Sequence, residues 1–387
     1  MTENQATALL PPGTSDVLPP DAAFEAAQLE RIIKHFSTFG YERINPPLFE
    51  FEETLLSGLG KAISQDTFRL MDPLSQRMLA LRSDMTPQLA RIATSRLANQ
   101  PRPLRLSYAG QVIRVRGSHA RPERQFAQVG VELIGADLPN ADAEVISMAV
   151  DGLTKLGIKE VSVDLTIPTL VPAYCASLNL NKDTTSLIRD ALNKKDVAGI
   201  VSLSGRLGPE AAKTLSIMLN AVGPANSIMA TLSNLQLDHV PDIERESLSA
   251  VIEAIRFVAP NLSLTVDASE NRGFEYHSGV SYSFFAKNVR GELGRGGRYQ
   301  TRAPNGSEEP STGLTLFMDT VIKALPRPEI EPQAFHPVGQ KTNDANKFRD
   351  QGWRVINGLS EVKDIEAEAR RMKCTHLIRG SKIYKID

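Results

Sequence analysis

Residues 105–115 and 126–134 read as two strands joined by a single charged loop, an antiparallel hairpin with a long connection. The loop itself, VRGSHARPER with its flanking residues, carries Arg114, Arg116, Arg121 and Arg124 in a chain whose 44 basic and 45 acidic residues nearly cancel. A formal net charge of -1 excludes the strong field of a nucleic-acid binder, so the arginines are a local device. In the second strand, FAQVGVELI, period 2 sends Ala127, Val129, Val131 and Leu133 to one face and Gln128, Gly130 and Glu132 to the other. The second face is either a solvated strand face or a binding floor. As a floor, its glutamine and glutamate would flank a residue that leaves room for a small cationic ligand.

Around this hairpin the chain reads as mixed helix and strand. Asp21 follows two prolines and opens FEAAQLERIIKHFSTFG, where Phe24, Ile32, Phe36 and Phe39 lie near one face before Gly40 stops the helix. YERINPPLFEF cannot stay helical through Pro46 and Pro47 and suits an edge strand. In MLALRSDMTPQLARIATSRLAN a strand runs into Thr86 as N-cap and Pro87 as first helical residue, with Asp84 just before the cap. Residues 168–262 look mostly helical, with capping signals in NLNKDTTSLIRDAL and SGRLGPEAAKTLSIML, and read as an insertion between strands. Strands then resume, followed by the glycine-rich GELGRGGRY and a helix over GLTLFMDTVIKAL. PRPEIEPQAFHPVG reads as a linker. Beyond it WRVING, EVKDIEAEARRM and THLIRG form a small strand, helix and strand unit.

With 41% apolar and 23% charged residues, the chain can bury an ordinary core. MTENQATALLPPGTSD has neither a basic start nor an apolar stretch, and no apolar run approaches a bilayer span, so the expectation is a cytoplasmic protein with no membrane role. Cys175 and Cys374 lie far apart and the six histidines lack metal-type spacing, so reduced thiols and no metal are expected.

The ordered blocks FGYERINPPLFE, LRSDMTPQLARIA, QVIRVRGSHARPERQFAQVGVELIG, NRGFEYHSG and GELGRGGRY resemble the catalytic domain of class II histidyl-tRNA synthetases over most of residues 8–325. The resemblance implies an α+β fold, an antiparallel sheet flanked by helices with the insertion at about 168–262. It divides the chain into a synthetase-like domain, 1–328, and a C-terminal unit, 329–387, like a reduced anticodon-binding domain. It also implies residue roles. Asp84 and Thr86 match positions that receive the amino acid's ammonium group, with Asp84 standing where glutamate is usual. Arg114 matches the second-motif arginine that holds the α-phosphate and carboxylate. Gln128 and Glu132 match positions enclosing the histidine ligand, and Arg272 matches an arginine used against the α-phosphate. Tyr276 and His277 match a tyrosine pair at the imidazole, the second tyrosine being His277 here.

The departures point away from the synthetase reaction. Arg116 stands where the second motif has a glutamate that helps hold ATP, and the third motif reads Phe317, Met318, Asp319, Thr320 in place of a glycine and a nucleotide-gripping arginine. One charged hydrogen bond lost is roughly 1.5 to 3 kcal/mol. A core that keeps the amino-acid pocket and loses these groups resembles the regulatory subunits of ATP phosphoribosyltransferase. That family resemblance implies no catalytic residues and no cofactor in this chain, with a short-form catalytic phosphoribosyltransferase as partner at the first step of histidine biosynthesis. It further implies a dimer within a hetero-oligomer, L-histidine as a ligand and no tRNA. Two alternatives remain at this point: an active aminoacyl-adenylate-forming enzyme, and an assembly scaffold with an empty pocket.

Overall fold

A computed structural model describes residues 9–118, 121–270, 277–303, 305–326 and 331–386. The chain divides into two compact units, Met1–Pro326 and Arg327–Asp387. In the first, the strands run in chain order β1 (Glu42–Ile44), β2 (Phe49–Phe51), β3 (Arg69–Met71), β4 (Met78–Leu81), β5 (Leu104–Ile113) and β6 (Gln125–Ile134). They continue with β7 (Val161–Thr166), β8 (Val222–Pro224), β9 (Ser263–Asp267), β10 (Ser281–Ala286), β11 (Gly294–Arg302) and β12 (Glu308–Phe317). Nine of these form one sheet in the order β1-β5-β6-β12-β11-β10-β7-β9-β8, and β2-β4-β3 form a smaller sheet. The centre of the large sheet is antiparallel, as the hairpin requires; β1 with β5 and β7 with β9 are parallel.

The period-2 reading of β6 decides how the layers stack. Its apolar face, Ala127, Val129, Val131 and Leu133, joins one core cluster with Ile32 and Phe36 of the Asp21–Ser37 helix and Val145, Ile146 and Ala149 of the Pro139–Leu156 helix. Leu89 and Ala93 of the Thr86–Thr94 helix share a second cluster with Tyr108, Phe126 and Phe317. Residues 41–51 split at Pro46 and Pro47, giving β1 at the sheet edge and β2 in the small sheet. The insertion leaves after β7 and returns at β9, its parallel neighbour. It is helical from Leu170–Ser177 to His239–Val258, apart from β8 on its edge. Asn181 caps the Lys182–Asn193 helix by accepting from Thr184 N at 2.9 Å.

Several local expectations change. Asp21 opens its helix behind Pro20 as expected, but Phe39 lies past the last turn, where it is 40% exposed rather than on the apolar face. Thr86 is likewise the first helical residue, not the cap. Residues 313–317 are strand: paired on both sides by β6 and β11, they spend their backbone groups on the sheet before the Met318–Ala324 helix begins. Within the linker reading, Gln333–His336 is a strand, β13. It is one of two inner strands of a four-stranded sheet with β14 (Arg354–Asn357), β15 (His376–Arg379) and β16 (Lys382–Lys385), in the order β14-β13-β15-β16. The Thr342–Asp350 and Ile365–Arg371 helices connect its parallel strands. The C-terminal unit is therefore larger than one strand, helix and strand, because burial of Ala334 and Phe335 under short helices needs the extra strand.

Candidate functional site

The inward face of β6 floors a small cavity of about 190 Å³, walled by β11, β12 and the start of the Thr86–Thr94 helix. Its lining includes Asp84, Thr86, Arg114, Glu132 and His277 from the expected set. Gln128 does not line it and instead braces it from below. Gln128 Oε1 accepts from Met85 N at 3.1 Å and Nε2 donates to Asp84 Oδ2 at 3.2 Å. Asp84 Oδ1 in turn accepts from Thr86 N at 2.9 Å, so the turn into the helix is fixed from two sides. Arg272 and Tyr276 lie outside the described residues.

Glu132 is the centre of the polar side. Its Oε1 accepts from the Thr86 hydroxyl at 2.9 Å and its Oε2 from the Tyr299 hydroxyl at 2.7 Å. Thr86 thus spends its hydroxyl on the floor rather than on capping its own helix. Gly313 is the register partner of Glu132 on β12, and a Cβ there would sit 1.7 Å from Glu132 Oε2. Its missing side chain lets the Glu132 carboxylate lie across β12 towards Tyr299 on β11. Glu132 is 1% exposed. Burial pushes its carboxyl up to about 8; the donations from Tyr299 and Thr86 oppose the rise and the nearby Asp84 carboxylate adds to it. Gly130 does not provide ligand space as expected. A Cβ there would lie 2.3 Å from the Tyr108 hydroxyl, and this fully buried phenol fills the gap while meeting Thr315 Oγ1 at 2.5 Å.

The basic side is built from the loop. Arg114 is half-buried, donates from Nε to Ser83 O at 3.3 Å, and has no carboxylate partner among the described residues. Arg121 is buried. Its Nε stands 3.1 Å from Asp319 Oδ2 and its guanidinium lies 3.6 Å over the Phe317 ring. Burial lowers the Arg121 pKa and Asp319 opposes that, as a desolvated pair should. Arg116 is exposed beside Asp66, at 3.5 Å, and Arg124 ties back to Arg114 O at 3.2 Å and Pro12 O at 3.3 Å. Among the described residues no group of three or more His, Cys, Asp or Glu side chains could hold a metal ion.

Sequence reasoning missed Tyr108, Tyr299 and the partnership of Arg121 with Asp319. Tyr108 and Tyr299 stand in strands that flank glycine-bearing neighbours, and that large-beside-small pattern is the signal that could have found them. The Arg121 contact spans nearly two hundred positions and left no local trace.

The family model described as Histidyl-tRNA synthetase matches residues 13–321. A protein named ATP phosphoribosyltransferase regulatory subunit from Paramagnetospirillum magneticum is 49% identical over 387 residues, covering 100% of both chains. One of the same name from Rhodospirillum centenum is 48% identical over 98% of this chain and 97% of its own. This chain belongs to the ATP phosphoribosyltransferase regulatory subunit family. This chain shares its fold with solved synthetases. A Bacillus halodurans structure titled ATP phosphoribosyltransferase regulatory subunit/histidyl-tRNA synthetase superposes with TM-score 0.80 at 23% identity, over 94% of this chain and 96% of that one. Histidyl-tRNA synthetase from Nostoc superposes at 0.77 and 19% identity, over 96% and 90%. At these identities the likeness establishes the class II synthetase-like α+β fold.

Proposed function

We propose that this chain is a non-catalytic regulatory subunit that acts with a short-form catalytic ATP phosphoribosyltransferase at the first step of histidine biosynthesis, and that its cavity holds L-histidine. The observation that carries the reading is the Arg121–Asp319 pair over Phe317. A guanidinium already matched by a carboxylate and stacked on a ring offers little to a triphosphate, and Asp319 repels one. The volume agrees: about 190 Å³ is small beside the roughly 300–1,000 Å³ of common ligand pockets, and fits an amino acid better than a nucleotide.

The polar walls suit a zwitterion. Asp84 and Glu132 face an ammonium group, and Arg114, with no carboxylate partner among the described residues, faces a carboxylate. Arg272 and Tyr276 would complete this ligand set, and His277 would stand beside the imidazole. Occupancy would act on the partner through a coupling of roughly 1 to 3 kcal/mol that is reciprocal. The working form is a cytoplasmic hetero-oligomer containing a dimer of this chain, without tRNA. The exposed apolar residues Leu48 and Phe49, at 40% and 53%, support self-association near the first motif.

Co-expression with a short phosphoribosyltransferase tests the reading. The expected result is a stable complex whose partner is poorly active alone, and no histidine-dependent exchange of pyrophosphate with ATP by this chain. Robust exchange would return the adenylate-forming reading.

A further inference from the structure

The helical insertion holds a second cavity, about 570 Å³, which shares no lining residue with the central one. Its volume falls within the roughly 300–1,000 Å³ range of ligand pockets. Val171 and Cys175 of the Leu170–Ser177 helix, Leu180 in the following turn, and Ile188 and Leu192 of the Lys182–Asn193 helix give it apolar walls, closed by Ala268 just after β9.

The polar residues in its lining are mostly spent. Asn179 Nδ2 donates to Ser177 O at 3.2 Å, the Thr185 hydroxyl to Asn181 O at 2.9 Å, and the Ser269 hydroxyl to Asp267 Oδ1 at 3.0 Å. The acidic groups beyond Ser269 are neutralised too: Lys195 pairs with Asp267 and lies 3.4 Å from Glu270. One lining group is different. Arg189, exposed at the rim, is the only charged residue among the described lining and makes no hydrogen bond or ion pair with the described residues. An apolar chamber with internally satisfied polar groups and one idle guanidinium selects a ligand that is mostly apolar with a single negative end. One guanidinium matches a carboxylate in bidentate fashion, whereas a phosphate dianion needs further charged donors, and the described lining offers none besides Arg189.

We propose that this cavity binds a small amphiphilic carboxylate, an aliphatic or aryl acid whose tail lies among Val171, Leu180, Ile188 and Leu192 and whose carboxylate meets Arg189. The site stands apart from the histidine reading and does not depend on it.

Titration calorimetry of the full chain with octanoate and with octanol tests the assignment. Octanoate should bind about fivefold tighter than octanol, the scale of a rim-exposed ion pair. Arg189→Gln should remove that preference while both still bind, and Ala176→Phe, which fills the cavity from an exposed helix position, should abolish both. Saturating octanoate should also slow alkylation of Cys175, followed by mass spectrometry in alkali because burial pushes this thiol up to about 11. Absence of octanoate binding, equal binding of acid and alcohol, a preference that survives Arg189→Gln, or an unchanged Cys175 rate would overturn the proposal. If Ala176→Phe fails to fold, the Arg189 and Cys175 measurements decide.

Discussion

Arg121 and Asp319 are 198 positions apart in sequence and form a nearly buried ion pair, Nε to Oδ2 at 3.1 Å, with side-chain exposures of 9% and 11%. The pair joins the arginine loop to the first turn of the Met318–Ala324 helix. Asp319→Ala leaves the guanidinium buried without its paired carboxylate, with only the Glu292 carboxylate nearby, and should destabilise the chain by about 3–5 kcal/mol in urea denaturation. The double variant Arg121→Met, Asp319→Leu should recover most of that loss. An Asp319→Ala protein as stable as the parent would show that the pair is not the anchor of the loop.

Glu132 links stability to pH. Its folded carboxyl stands at about 8 against an ordinary 4.5, so between these values the folded state keeps a proton that the unfolded chain has released. Its contribution is fully present below 4.5 and is lost as pH rises to about 8. At about 1.4 kcal/mol per unit, the loss is on the order of a few kcal/mol. Glu132→Gln, which cannot ionise, should flatten this fall. Parallel stability curves for parent and variant across the window would contradict the burial argument.

On the proposed reading, in which the cavity holds histidine, the same carboxyl makes its capture a proton-releasing event. A bound ammonium group favours the ionised form, so at pH 7 histidine binding should expel a fraction of a proton and its calorimetric enthalpy should vary with the buffer's ionisation enthalpy. Glu132→Ala or Glu132→Gln should weaken binding by about 1.5 to 3 kcal/mol, if a charged hydrogen bond is lost, while leaving the complex assembled. Gln128→Ala, which frees Asp84 and Met85 from their brace, should weaken it as well. Histidine binding unchanged in these variants would remove the histidine site from this cavity.

Gly313→Ala tests the room given to that carboxylate. With the added Cβ 1.7 Å from Glu132 Oε2, the carboxylate must move, and overpacking of this kind costs about 1–3 kcal/mol. Histidine binding should fall with it. Gly205→Ala, where nothing lies within 4 Å of the added carbon, is the control and should be neutral or slightly stabilising. Equal stability of the two variants would mean that both Glu132 and the Val131 carbonyl, 2.7 Å from the added carbon, can give way.

The split between what the sequence revealed and what it hid follows the range of the interactions. Period 2 in β6 separated Val129 and Val131 from Gln128 and Glu132 because strand faces alternate whatever the surroundings. Pro46 and Pro47 ruled out a helix for an equally local reason. The single edge strand read there is nonetheless two strands, β1 at the edge of the large sheet and β2 in the small one, because which sheet each pairs with is set by distant partners. The helix expected over 313–317 failed because strand pairing on both sides overrode a pattern that a helix and a buried strand share. Gly130 was read as ligand space, since nothing in its neighbourhood of sequence announces that Tyr108 of the next strand is its register partner. Likewise Thr86 reads as a cap until Glu132, 46 positions away, claims its hydroxyl.

The two glycines of the floor also bear on how such a chain changes over generations. Gly130 is filled by Tyr108 and Gly313 by Glu132, while Phe317 and Asp319 hold Arg121 between them. Each of these positions is a condition for another, so a larger side chain at either glycine, or a change at Phe317 or Asp319, meets an occupant already in its path. Drift at any one site is penalised until its neighbour drifts as well. Change at these positions therefore has to be concerted, two or three side chains at a time, rather than one by one.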